Sequence, residues 1–204
     1  ATVAGAVNTL YRNTQGRLVG ENTDGIGMLR DILQNGGVLR NRRVLVVGAG
    51  GAVRGVVPNL LAQQPAELVV VNRTAGKAQA LAERFRGLGM VRGGGYDLLA
   101  DTSFDWVING SSAGLDGEPP PLPPGVVTKD TWSYDMVYGP GLTAFQQWCL
   151  DHGAARALDG LGMLVEQAAE AFYLWRGVRP QTAPVIAALR QELAGYSRPA
   201  SDSR

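Results

Sequence analysis

The chain has 204 residues, 45% of them hydrophobic, enough to bury a core in one large domain or two small ones. Nineteen Lys and Arg against 18 Asp and Glu leave a formal net charge of +1, which argues against a nucleic-acid or membrane-surface partner. No stretch nears the ~18 uninterrupted apolar residues of a membrane span, and the lone Cys149 excludes an internal disulfide and fits a reducing, cytoplasmic location.

Residues 6–12 and 17–20 read as a short β-hairpin around a turn at residues 13–16. Two strands alone leave an unpaired sheet edge, so the expectation is that a segment upstream of Ala1 is missing. Next, Asn22-Thr23-Asp24-Gly25 leads into a helix to about Gln34, with Ile26, Leu29, Ile32 and Leu33 at helical spacing. Thr23 or Asp24 there reads equally well as a simple N-cap.

The β-branched run from Arg43 to Val47 meets the turn Gly48-Ala49-Gly50-Gly51-Ala52 and an apolar helix, and a second β-branched run ends at Asn72-Arg73-Thr74. Strand, glycine turn, helix and strand in about 30 residues make a βαβ unit of the kind that holds a dinucleotide. The glycines let the chain turn off the strand and bring its backbone close to a pyrophosphate at the positive end of the helix. Val53 departs from the strict glycine pattern, so a plain loop stays open as an alternative. NAD sites place a carboxylate at the end of the second strand. Here stand Asn72, Arg73, Thr74 and Lys77, which suit the 2′-phosphate of NADP or are solvated charges at a helix start.

Residues 75–86 read as a helix and residues 105–108 as a buried parallel strand, ending in small polar residues from Asn109 to Ser112, with Ala113, Gly114 and Leu115 after them. Residues 119–124 are a proline-rich surface loop without function. A strand over residues 131–136 runs into Val137 and Tyr138, a helix covers residues 142–150, and a short strand at residues 156–158 ends at Asp159-Gly160-Leu161-Gly162. Helices at residues 163–175 and 184–193 follow, then a tail at residues 197–204 expected to be disordered. The alternation predicts an α/β fold, a Rossmann-type doubly wound parallel sheet, with its site at the carboxyl ends of the strands. The hairpin and last helices lie outside that sheet and suggest a second, incomplete α/β domain. No His, Cys, Asp or Glu cluster has metal-ligand spacing; His152 reads as a solvated or capping residue and Cys149 as core.

Gly5-Ala6-Val7-Asn8-Thr9-Leu10, Asn22-Thr23-Asp24-Gly25, Gly48-Ala49-Gly50-Gly51-Ala52, Asn72-Arg73-Thr74, Tyr134-Asp135-Met136-Val137-Tyr138 and the run from Asp159 to Ala168 occur in one order that resembles the shikimate dehydrogenase family. The resemblance implies NADPH-dependent reduction of 3-dehydroshikimate to shikimate, on the way to aromatic amino acids. It implies Asp24 as the carboxylate of the catalytic pair, and Asn8, Asp24, Tyr138 and Gln167 as substrate contacts. It further implies cofactor contacts at Gly48 to Ala52, at Asn72, Arg73, Thr74 and Lys77, and at Met136, Gly160 and Met163. Three parts are expected: a substrate-domain remnant at residues 1–24, an NADP domain at residues 25–160, and C-terminal helices at residues 161–204 that return to the substrate domain. The family's lysine partner of Asp24 lies upstream of the Gly5 motif, and neither Lys77 nor Lys129 takes its place, so the chain reads as N-terminally truncated and slow or inactive alone. A quinate/shikimate dehydrogenase and a non-catalytic NADP-binding module are the alternatives, in a monomer or homodimer.

Overall fold

The computed structural model describes residues 5–111 and 117–195. In chain order it has β1 (Thr9–Arg12), β2 (Leu18–Glu21), α1 (Asp24–Gln34), β3 (Arg43–Val47), α2 (Gly51–Leu61), β4 (Glu67–Val71), α3 (Ala75–Phe85) and β5 (Val91–Gly94). Then come β6 (Trp106–Asn109), β7 (Trp132–Asp135), α4 (Ala144–Asp151), β8 (Arg156–Leu158), α5 (Leu161–Arg176) and α6 (Ala183–Gly195).

The first two strands pair antiparallel by themselves, and the other six form one parallel sheet in the order β5-β4-β3-β6-β7-β8. Chain direction across the sheet reverses between β3 and β6, which opens a crevice beyond their carboxyl ends. Side chains of successive strand residues point to opposite faces, so each continuous apolar run feeds two layers. Val44, Val46, Leu68, Val70, Trp106 and Ile108 pack with α1, α2 and α3. Leu45, Val47, Val69, Val71 and Val107 pack on the other face with Phe145 and Cys149 of α4. Burial raises the Cys149 thiol to about 12, so it behaves as core.

One strand is absent from the sequence reading, and one expectation needs correction. Strand β5 escapes the periodicity because half of Val91-Arg92-Gly93-Gly94 is glycine. A Cβ at Gly93 would stand 2.0 Å from the Ala78 carbonyl oxygen of α3, so the close crossing of helix over strand excludes the side chains that advertise a strand. The proline-rich segment is not merely surface: Leu122 is buried in the second layer. Ser112, Ala113, Gly114 and Leu115, and the tail expected to be disordered, lie outside the described residues. No helix among the described residues is long and apolar enough to cross a membrane.

Helix α1 lies between α2 and α5. Near its N-terminus a Cβ on Gly27 would meet the Gln167 backbone nitrogen at 2.7 Å and the Met163 carbonyl oxygen at 2.9 Å. The two helices touch backbone to backbone there, and polar contacts hold them on either side. Arg30 and Arg179 both engage Glu170, while Gln34 Nε2 donates to Glu166 Oε1 at 2.9 Å. The hairpin is tied on by Trp175 Nε1, which donates to the Leu10 carbonyl oxygen at 2.9 Å. Gly27→Val should therefore destabilise the fold by about 3 kcal/mol, because no flexible side chain can yield. A denaturant midpoint equal to that of the unsubstituted chain would refute this packing.

Candidate active site

Two groups of side chains converge at the carboxyl end of the sheet and on the neighbouring helices. The first begins at the turn after β3. Gly48 adopts φ +106°, a left-handed conformation other residues rarely take, and a Cβ there would lie 2.9 Å from the Gly110 carbonyl oxygen. Helix α2 then starts with Gly50 at its N-cap, with no side-chain cap and no acidic residue in the first turn. Helix α3 starts likewise, at Thr74, without a cap bond or an acid. Both positive helix ends border a groove of ≈ 530 Å³ lined by Gly48, Ala49, Gly50, Gly51 and Ala52, by Asn72, Arg73, Thr74 and Lys77, and by Tyr96, Gly110, Ser111 and Pro121. A size of this order suits a cofactor. Free backbone N–H groups, two cations and no carboxylate lining the groove suit an anionic one.

The local causes are legible. Asn72 Nδ2 donates to the Thr74 carbonyl oxygen at 3.0 Å, closing the turn that presents Arg73. Asn109, fully buried, donates to Asp135 Oδ1 at 3.0 Å, and its Oδ1 accepts from the Ser111 hydroxyl at 2.7 Å, which props Ser111 at the groove. Burial raises the Asp135 carboxyl above its ordinary range, against the hydrogen bonds from Thr143, Val137 and Asn109. The departure at Val53 is absorbed on the facing strand. A Cβ at Gly110 would meet Val53 Cγ2 at 2.5 Å, so the small residue needed for close packing sits at the end of β6 instead of on the helix. Tyr96, whose hydroxyl is raised by burial with Arg73 opposing, and Pro121 had no signal in the sequence: one lies in a short turn after β5, the other in the proline run.

The second group joins three distant segments. Asn8 Nδ2 donates to Asp24 Oδ1 at 2.8 Å and lies 3.5 Å from Gln167 Oε1, a separation of 159 residues in the chain. Asn8 Oδ1 accepts from the Thr23 backbone N–H at 3.0 Å and from the Thr9 hydroxyl at 3.0 Å, which settles which way the amide points. Thr23 occupies the N-cap place of α1 but makes no side-chain cap bond. Its hydroxyl instead lies 3.1 Å from Gln167 Oε1 and 3.1 Å from Asn8 Oδ1, so the capping alternative gives way to a role in this cluster. Among the described residues, Asp24 Oδ2 keeps only a long 3.4 Å contact from Asn22 Nδ2, and this leaves one carboxylate oxygen available to a ligand.

The remaining predicted positions are spread between the two groups. Tyr138 stands exposed three residues beyond β7, outside the hydrogen-bonded cluster. Met136 is half-buried, and a Cβ at Gly110 would lie 2.8 Å from its sulfur. Gly160 abuts the Met136 carbonyl oxygen, where a Cβ would approach to 2.3 Å, and Met163 is buried against the first layer.

Two family models match the chain: "Shikimate / quinate 5-dehydrogenase" over residues 30–92 and "Shikimate 5'-dehydrogenase C-terminal domain" over residues 160–190. A shikimate dehydrogenase (NADP(+)) from Alkalilimnicola ehrlichii is 59% identical over 190 residues, 93% of this chain and 70% of that protein. An Ael1 enzyme from Pseudomonas putida, known by crystal structure, is 49% identical with a TM-score of 0.84, covering 92% of this chain and 69% of that one. Shikimate 5-dehydrogenase from Thermus thermophilus, crystallised with NADP(H) and shikimate, is 34% identical with a TM-score of 0.80, covering 94% of this chain and 70% of that one.

Proposed function

The chain belongs to the shikimate dehydrogenase family, and we propose that it interconverts 3-dehydroshikimate and shikimate. It is an NADP-dependent oxidoreductase acting on a CH–OH group. The quinate-preferring and non-catalytic readings are not favoured, since the relatives carry the shikimate dehydrogenase name. What supports the reading most is a single observation: Asn8, Asp24 and Gln167, from the hairpin, α1 and α5, share one hydrogen-bonded cluster.

Bound NADPH supplies the hydride. The protein's part is to bind, orient and handle a proton. Gly48 to Ala52 would cradle the pyrophosphate at the α2 N-terminus, and Asn72, Arg73, Thr74 and Lys77 would hold the 2′-phosphate. Met136, Gly160 and Met163 border the nicotinamide end. Asn8 takes the ring hydroxyls of the substrate, Gln167 is a further substrate contact, and Tyr138 stands beside the substrate and the nicotinamide. Asp24 Oδ2, which has no short contact among the described residues, is the carboxylate of the proton-transferring pair. The described parts of residues 1–24 and 161–204 form the substrate side and those of residues 25–160 the NADP side. The enzyme works in the cytoplasm on small molecules, without nucleic acid, as a monomer or homodimer.

Shikimate-dependent formation of NADPH, followed by its absorbance, tests the activity. Gln167→Ala should weaken shikimate binding about fivefold, the worth of one neutral hydrogen bond, with NADP binding unchanged. Calorimetric titration giving equal shikimate affinities would remove Gln167 from the substrate site.

A further inference from the structure

Resting on the NADP reading above, we propose that Arg54 is a third cation of the cofactor site, directed at the pyrophosphate rather than the 2′-phosphate. Arg54 lies in the first turns of α2, and its guanidinium folds back toward the helix start. A Cβ built at Gly51 would stand 3.8 Å from Arg54 Nη2. A cation held there opposes the positive end of the helix dipole. No carboxylate among the described residues pairs with it, and its Nε is buried with no hydrogen-bond partner. It is the only buried side-chain nitrogen or oxygen among the described residues in that condition. A desolvated donor without an acceptor is costly, and a solvated surface arginine would turn its Nε to water. An anion at the Gly50-Gly51 turn supplies the acceptor and reverses the sign of the dipole term at the same place. Arg73 and Lys77 line the groove at the start of α3, whereas Arg54 stands behind the Gly51 turn of α2, so the 2′-phosphate and the pyrophosphate would meet different cations.

The proposal separates Arg54 from the 2′-phosphate clamp by experiment. Calorimetric titration of Arg54→Met with NADP, NAD and adenosine 2′-monophosphate should show both dinucleotides weakened about tenfold or more. Adenosine 2′-monophosphate, which has no pyrophosphate, should change less than about twofold. The melting temperature of the unliganded variant should equal or exceed that of the parent, because an unsatisfied buried donor is removed, while the upward shift on adding NADP shrinks. Arg54→Lys should recover part of the lost dinucleotide affinity. Unchanged NADP affinity in Arg54→Met, with a parent that binds NADP, would overturn the role of Arg54 alone. A lowered melting temperature with affinities intact would make Arg54 structural and overturn it too. A parent that binds no dinucleotide would overturn the cofactor reading and this proposal together.

Discussion

Asp24→Asn should lower shikimate turnover by about 10²- to 10⁴-fold, the range that positioned proton transfer contributes, while NADP affinity stays within about twofold. The substitution is close to isosteric. Asparagine can still accept the 2.8 Å hydrogen bond from Asn8 Nδ2 through its carbonyl oxygen, so the cluster keeps its geometry. What changes is the second oxygen, which loses its charge and becomes a donor. It can then neither hold a cationic proton donor nor accept a proton from a substrate hydroxyl. Steady-state kinetics in a preparation that turns over shikimate provides the measurement. Turnover within about threefold of the parent would show that the carboxylate orients Asn8 and does nothing chemical.

Arg73→Ala should weaken NADP by about 10- to 100-fold and NAD by less than about threefold, the span expected from one or two charge-assisted hydrogen bonds to a phosphate. Arg73 is exposed beyond β4, on a turn that Asn72 closes, and it lines the same groove as the glycine turn. The groove lining contains no carboxylate to pair with it. Lys77 is a point charge in the first turn of α3, so its removal should cost less, and the preference for NADP should narrow as salt screens both exposed cations. Fluorescence titration with the two reduced cofactors distinguishes the cases. Equal losses for NADP and NAD in Arg73→Ala would mean that the guanidinium packs on adenine and ignores the 2′-phosphate.

How much of this is legible in the amino-acid sequence depends on how local each cause is. The βαβ unit was legible because Val44 to Val47 and Leu68 to Val71 are buried on both faces, and such strands must be continuous apolar runs. β5 was not, because contact with Ala78 forces glycine where a strand would otherwise show β-branched residues. Thr23 illustrates a sharper limit. A threonine before a helix is ordinarily a cap, and nothing within ten residues shows that its hydroxyl is taken by Gln167, 144 positions away. Arg54 and Tyr96 carry no motif either; the burial of one atom and the wall of one groove reveal them.

The order of strands, turns and helices apart from β5, and the absence of a carboxylate after β4, came from the amino-acid sequence alone. These are written in backbone preference and side-chain spacing over a few residues, where no distant partner is required. Which side chains meet was settled only in the folded chain. The sheet order puts Gly110 opposite Val53, and the close crossing at Gly27 brings Gln167 to Asn8 and Asp24. Those encounters follow from how packed layers fill space, and a linear chain holds no local trace of them.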